Sequence, residues 1–287
     1  MKLDKEQREA WLLVAPAALI LGAVAVYPIA AAFALSLQRV MVVFHERHFV
    51  GLANYVFLAK DARFWTALAN TVYFSVVSVT LELVLGLAFA LLLAENAPGR
   101  GLLRAAVLVP WAIPTVVAAR LWAWLFNPTH GLIPRLLPVH DIDFLGTPGW
   151  AMHAAILVDV WKSTPFVALL LLAGLQSIPG DLYRAASLDG ASRWRSFARI
   201  TLPLLRPTIA LALVFRTLDA FRVFDAVYVL TGGGPANTTE TLSIYTYKTL
   251  MRSGDFGYGS ALAVVSFGCV LGLAVIYLGL LRERARA

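Results

Sequence analysis

Charge is scarce in this chain. Only 14% of its 287 residues are Asp, Glu, Lys or Arg, while 60% are hydrophobic. A soluble domain carries about a quarter charged residues, so there is too little polar surface here to cover a water-soluble globule. Cysteine is nearly absent. The single Cys269 excludes an intrachain disulfide and a cysteine-based metal site. No G-x-x-x-x-G-K-[ST] phosphate loop occurs, so the chain has no apparent means of binding ATP itself. The five histidines show no ligand spacing, and His45 and His48 read as solvated loop residues. Ser163 has no His–Asp company for a hydrolase triad. The net charge of +7 comes from basic residues in short segments between apolar runs, a membrane-topology signal rather than a nucleic-acid surface.

Long apolar runs are what the sequence does have. Six segments reach the roughly 20 residues a helix needs to cross a bilayer, near 11–35, 67–94, 103–126, 150–175, 207–230 and 258–281. Backbone groups in hydrocarbon must be bonded within their own segment, so the fold class is all-α and membrane-integral with six transmembrane helices. The first run follows Lys2, Lys5 and Arg8 and stays uncharged from Ala10 to Gln38. That exceeds a signal peptide's core of roughly 7–15 residues, and the run is read as an uncleaved span. Lys and Arg number thirteen on one side and seven on the other if the N-terminus is cytoplasmic, which places both termini inside.

The longest basic inside segment lies between spans four and five. Pro179 and Gly180 stop the preceding span, and Asp181 is expected to cap a new helix. Leu182, Ala185, Ala186 and Leu188 make that helix amphipathic, Gly190 ends or bends it, and Trp194, Phe197 and Ile200 form a second short apolar face. Two short helices joined at a glycine suit a partner's cleft. They also suit a bed of lipid headgroups, and the residues alone leave both open.

In that loop Arg184-Ala185-Ala186, three residues, Gly190, nine residues, then Ile200-Thr201-Leu202-Pro203 resembles the EAA loop of binding-protein-dependent ATP-binding-cassette importer permeases, with Arg184 where the family has Glu. Val50-Gly51-Leu52-Ala53-Asn54-Tyr55, Val109-Pro110-Trp111-Ala112-Ile113-Pro114 and Phe224-Asp225 through Gly234-Pro235 are similar to segments of the maltose, trehalose and glycerol-phosphate type, first-subunit class. The resemblance implies the type I importer transmembrane fold: an N-terminal segment, first helix and outer loop over 1–65, a permease core over 66–281 with its coupling loop at 179–207, and a cytoplasmic tail over 282–287. It implies that Arg184, Ala185, Ala186, Asp189, Gly190, Ile200, Leu202 and Pro203 meet an ATPase. The implied partners are a second homologous permease, two ATPase subunits holding ATP-Mg, an extracytoplasmic sugar-binding protein and the bilayer of a bacterial or archaeal plasma membrane. The chain itself is implied to be no enzyme, with no cofactor of its own and no nucleic-acid partner.

Charges inside spans are costly, at least about 2.5 kcal/mol each on insertion scales, and so face a cavity or a partner. Span five carries Arg216, Asp219, Arg222 and Asp225 at i, i+3 spacing; span four carries Asp159 and Lys162; Glu82 and Arg120 stand singly in spans two and three. With Tyr228 and Phe224 as stacking rings, the span-four and span-five charges form a candidate path for a sugar, since carboxylates accept from and guanidinium groups donate to hydroxyls. A self-neutralised packing ladder is the alternative. The expected cargo is a disaccharide or oligosaccharide, with glycerol phosphate or another polyol as alternatives. An ion-coupled secondary transporter is less favoured, because such chains show internal repeats that are not seen here.

Overall fold

The computed structural model describes residues 5–95, 99–136 and 142–286. Lys2, which enters the topology count, and Ala287, the last tail residue, lie outside them. The chain divides into two compact units, Met1–Phe64 with Tyr245–Cys269, and Trp65–Ile244 with Val270–Ala287.

In the first unit, α1 (Lys5–Leu21) continues through a π-helical turn at Gly22–Val26 into α2 (Tyr27–Ser36). The span Trp11–Ser36 has no buried residue in its most apolar window, so its side chains need lipid or another chain around them. Past Ser36 comes an antiparallel hairpin that the all-helical reading omitted, β1 (Gln38–Met41) and β2 (Glu46–Phe49). The short helix α3 (Ala53–Lys60) follows. Asn54 Nδ2 donates to the carbonyls of Ser36 and Gln38 at 2.8 and 2.9 Å and so fixes α3 on the end of the span.

The second unit holds most of α4 (Ala62–Ala94), followed by α5 (Arg100–Ala112), α6 (Thr115–Leu125), α7 (Leu132–Leu136) and α8 (Trp150–Gln176). After these come α9 (Gly180–Leu188), α10 (Arg193–Ser196), α11 (Leu202–Phe221), α12 (Asp225–Leu230) and the first half of α13 (Leu242–Tyr247). The last helix, α14 (Phe256–Arg286), begins in the first unit and ends in the second. Missing side chains set the helix spacing. A Cβ at Gly86 of α4 would meet Val167 of α8 at 2.6 Å, and one at Gly174 of α8 would meet Thr208 of α11 at 2.5 Å. Close backbone approach at small residues is how membrane helices gain dispersion contact. Phe74, Met152, Val158, Val227 and Ile244 form one buried apolar cluster; Leu93, Val167, Leu171 and Leu205 form another.

Five helices are long and apolar enough to span a bilayer, and a sixth span is counted if the pair Gly101–Ala112 and Thr115–Leu125 is one broken span. Two expectations need correction here. Span three is not one helix over 103–126 but two, meeting at 93°. Pro114 has no N–H, and the residue before a proline is driven out of the helical region; Ile113 accordingly sits at φ −72°, ψ 132°. Span five does not run on to 230. Helix α11 stops at Phe221, where Arg222 Nε takes the Leu218 carbonyl and Thr241 Oγ1 takes the Val223 carbonyl. These side chains satisfy carbonyls that a continuing helix would have used.

Candidate functional site

Four charged residues from three helices meet around one guanidinium in the second unit. Arg216 of α11 donates through Nε to Glu82 Oε2 at 2.5 Å and through Nη2 to Glu82 Oε1 at 2.8 Å, a bidentate fork. The same Nη2 reaches Asp159 Oδ2 of α8 at 3.1 Å, and Nη1 reaches Asp219 Oδ2, one turn along α11, at 2.5 Å. The Arg216 side chain is 4% exposed and that of Glu82 is fully buried, whereas that of Asp219 is 64% exposed. Glu82, set down as a lone charge in span two, is thus the principal partner of Arg216, 134 residues away. Periodicity within one helix gives no sign of such a pair.

Asp159 and Lys162 share a face of α8 but turn to different partners. Lys162 Nζ donates to the carbonyl of Ile113 at 2.5 Å and to that of Trp111 at 3.4 Å. These carbonyls lie at the break of span three, where the chain has left the helix that would have bonded them. The ammonium therefore caps a break made by proline chemistry.

A cavity of about 800 Å³ lies beside the loop between α8 and α11, lined by Leu91, Leu175, Tyr183, Trp194 and Phe197 among others. Farther along the bundle a cavity of about 640 Å³ is lined by Trp111, Thr115, Lys162, Phe166, Arg216 and Asp219, with Ser163, Phe215, Leu218 and Arg222. A smaller one of about 190 Å³ shares Thr115, Lys162, Asp219 and Arg222 and adds Asp159, Phe224 and Asp225. Six of the seven path residues read from the sequence therefore line these two spaces. Tyr228 lines neither: it stacks on Phe224, centroids 5.0 Å apart, and packs against the buried cluster around Val227. The four-charge ladder of span five is also cut short, because Arg222 ends α11 and Asp225 opens α12. Among the described residues, no group of three or more His, Cys, Asp or Glu is placed to hold a metal.

The loop between α8 and α11 is a helix–turn–helix. Helix α9 ends in a Schellman motif: Ala191 N–H reaches the Ala186 carbonyl at 2.9 Å and Gly190 N–H the Ser187 carbonyl at 3.2 Å. Gly190 sits at φ +71°, where a Cβ is disfavoured although no atom stands within 4 Å of its place. Asp189 is the C-cap. Asp181 does not cap α9, as Pro179 holds that position; its carboxylate accepts from Arg184 Nη1 at 3.1 Å instead. Helix α10 is capped by Ser192, whose Oγ accepts from Arg195 N–H at 3.3 Å. A π-helical stretch, Phe197–Thr201, carries Ile200 into α11, which opens on Leu202 and Pro203. Tyr183 and Thr201 hydroxyls, 2.9 Å apart, tie the two halves together. Arg184, Ala185, Leu188 and Trp194 are all exposed.

Apolar helices around a cavity lined by aromatic and charged side chains, with a helix–turn–helix in the loop between α8 and α11, define a membrane transport subunit. Residues 82–285 match the model of the binding-protein-dependent transport system inner membrane component, and the chain belongs to that family. It is 46% identical over 283 residues to the trehalose/maltose transport system permease protein MalF of Thermococcus litoralis, covering 98% of this chain and 96% of that one. It is 47% identical over 276 residues to the trehalose transport system permease protein SugA of Mycobacterium tuberculosis (96% and 89% covered). With the sulfoquinovosyl glycerol permease SmoG of Agrobacterium fabrum the identity is 40% over 281 residues (95% and 90% covered). Among solved structures, a chain of a bacterial ABC transporter importing the acidic polysaccharide alginate superposes with a TM-score of 0.83 at 25% identity, over 97% of this chain and 98% of that one.

Proposed function

We propose that this chain forms half of the membrane path of an ATP-driven importer for a neutral disaccharide of the trehalose or maltose kind. The observation that carries this reading is the cavity of about 640 Å³ lined by Trp111, Phe166 and Asp219. Its aromatic side chains offer surface for the apolar face of a sugar ring, and the exposed Asp219 carboxylate and Arg222 guanidinium offer an acceptor and a donor for hydroxyls. Across both path spaces Lys162, Arg216 and Arg222 are set against Asp159, Asp219 and Asp225. The balance of three against three favours a neutral cargo over an anionic one. Relatives named for trehalose and maltose, similar over nearly the full length, support the same cargo.

In this reading both termini are cytoplasmic, and the α9–Gly190–α10 element docks on an ATPase subunit. A second permease completes the path, two ATPase subunits bind ATP-Mg, and a binding protein delivers the sugar from outside. The chain contributes no ATP hydrolysis. The test is reconstitution in proteoliposomes. The chain with its sister permease, ATPase and sugar-loaded binding protein should take up radiolabelled trehalose or maltose with ATP inside, and the chain alone should hydrolyse none. Uptake without ATP, or hydrolysis by the purified chain, overturns it.

A further inference from the structure

The hairpin β1–β2 takes no part in the path cavities or in the loop between α8 and α11. Every residue from Val42 to Phe49 is exposed. Val42, Val43 and Phe44 form the tip, closed by His45 at φ +55°, and each of the three is more than half exposed. Phe49, at the far end of β2, is more exposed still. Three consecutive bare apolar residues persist at a turn only where they have a use. Basic residues accompany them. Arg39 pairs with Glu46 at 3.0 Å, but Arg47 bonds the amide oxygen of Gln38 at 3.1 Å and meets no carboxylate among the described residues. His45 and His48 are exposed on either side of it in sequence.

The hairpin does not stand clear of the membrane, because two spans hold it. Gln38 follows closely on Ser36, the last residue of the first span. The backbone of β1 lies against the entry of the last span, Phe256–Tyr277. A Cβ on Gly257 would collide with the Gln38 carbonyl, Met41 bridges Asp255, and Val42 N–H donates to the Gly254 carbonyl at 3.0 Å. Val43 packs over Gly254, where a Cβ would stand 3.3 Å from its Cγ2. Gly254 stands two residues before Phe256, a reach of at most about 7 Å. One headgroup layer is about 5–8 Å thick, so the tip is held at headgroup depth.

We propose that β1–β2 is an interfacial anchor: Val42, Val43, Phe44 and Phe49 lie among phospholipid headgroups and the upper acyl carbons, and Arg47 takes a lipid phosphate. Apolar side chains gain by leaving water at this depth, and a guanidinium beside them meets the anionic oxygens it binds best. The anchor fixes the depth of the first span, whose most apolar window has no buried residue and is therefore restrained little by its own chain. The proposal concerns the lipid-facing surface and does not depend on the cargo.

The experiment uses the whole complex in vesicles of phosphatidylcholine and phosphatidylglycerol. In a Cys269→Ala background, Val43→Cys and Phe44→Cys are labelled in turn with bimane. Leu19→Cys, exposed inside the first span, is the control that lipid quenchers reach. Phosphatidylcholine bearing a doxyl group near the headgroup end of its acyl chain should quench both tip labels, and dissolved iodide should quench them weakly. Arg47→Glu, which repels lipid phosphate, should cut the doxyl quenching about twofold or more. Unchanged quenching in that variant removes Arg47 from the anchor. Quenching of the tip labels by iodide alone places the tip in water and overturns the proposal. Protection from both quenchers means that the sister permease covers the tip, and iodide quenching that disappears on adding binding protein marks a binding-protein contact; either result also overturns it. Should Phe44→Cys fail to assemble, Val43→Cys decides the question.

Discussion

Two Arg–Asp pairs at i, i+3 spacing occupy opposite extremes of this molecule. Arg184 and Asp181 sit on α9 with side chains 83% and 88% exposed, joined at 3.1 Å. Arg216 and Asp219 sit on α11, where the arginine is buried and further bound by Glu82 and Asp159. In sequence the two pairs look alike. In water an exposed pair is worth about 0–1 kcal/mol, because each partner loses little on release. In the bundle the arginine cannot leave without stranding carboxylates in a low-dielectric interior, which costs about 3–5 kcal/mol. The same local pattern is therefore a surface detail in one place and a tie between three helices in the other.

The comparison is sharpened most by Arg216→Met. It should prevent recovery of an assembled complex, or lower its thermal midpoint in detergent by about 6–20 °C. Normal assembly would show that the cluster does not hold α4, α8 and α11 together. Next comes Gly190→Val on the exposed side. A β-branched residue forced to positive φ costs roughly 1–2 kcal/mol or more and unmakes the Schellman turn. The protein should insert normally, while uptake and binding-protein stimulation of ATP hydrolysis are lost. Wild-type stimulation would separate this loop from energy coupling.

Asp219→Ala should be milder than Arg216→Met, since its carboxylate faces the cavity and the guanidinium keeps Glu82 and Asp159. We expect intact assembly and uptake lowered about threefold to tenfold. Loss of assembly instead would make Asp219 structural.

A fourth test concerns a carboxylate between these extremes. Burial pushes the Asp61 carboxyl up, but hydroxyls of Tyr245 and Tyr258 donate to it at 2.5 and 2.6 Å, and with the N–H groups of Arg63 and Phe64 they hold it below its ordinary 3.8. A depressed carboxyl stabilises the fold fully above pH 3.8, and this contribution is lost as pH falls through the lowered value. Tyr245, pushed up to about 12 by burial and then by its bond to Asp61, works in the opposite sense. Its contribution is present below pH 10 and lost as pH rises towards 12. Thermal midpoints in detergent should fall at both ends, and Asp61→Asn should flatten the acid limb. An unchanged acid limb in that variant would remove Asp61 from the account. The smallest effect belongs to Arg184→Ala, within about 0.5 kcal/mol on the stability of the chain by thermal melting. A larger shift would mean that the exposed pair holds more than its own helix.

Much of this was legible in the sequence because lipid imposes simple rules. The six apolar runs correspond to five long apolar helices and the bent pair around Pro114, and the spacing Arg184-Ala185-Ala186 to Pro203 located a loop whose Gly190 does sit at positive φ. The misses share a cause. Glu82 with Arg216, Lys162 with the Ile113 carbonyl, and Thr241 with the Val223 carbonyl are bonds between elements far apart in the chain. Local periodicity is blind to them, and each overrode a local inference. Asp159 and Lys162 at i, i+3 look paired until other helices compete for them. The break at Ile113 could have been foreseen, since Pro114 forbids the helical angle before it. The end of α11 could not, because no glycine or proline marks it.

The distance between Glu82 and Arg216 along the chain also bears on how the protein is made. At a synthesis rate of about 5–20 residues per second, the 134 residues between them take about 7 to 27 seconds to emerge. Throughout that time α4 holds a glutamate whose arginine does not yet exist. Its own apolar length must carry it across the bilayer alone, and α8 arrives in the interval with another carboxylate, Asp159, and with a cation, Lys162, that turns to the Ile113 carbonyl rather than to Glu82. The nascent protein therefore passes through a four-span stage that is electrically unfinished at its centre. Only the fifth span closes it, so a ribosome stalled before residue 216 leaves behind a fragment that membrane quality control has reason to remove.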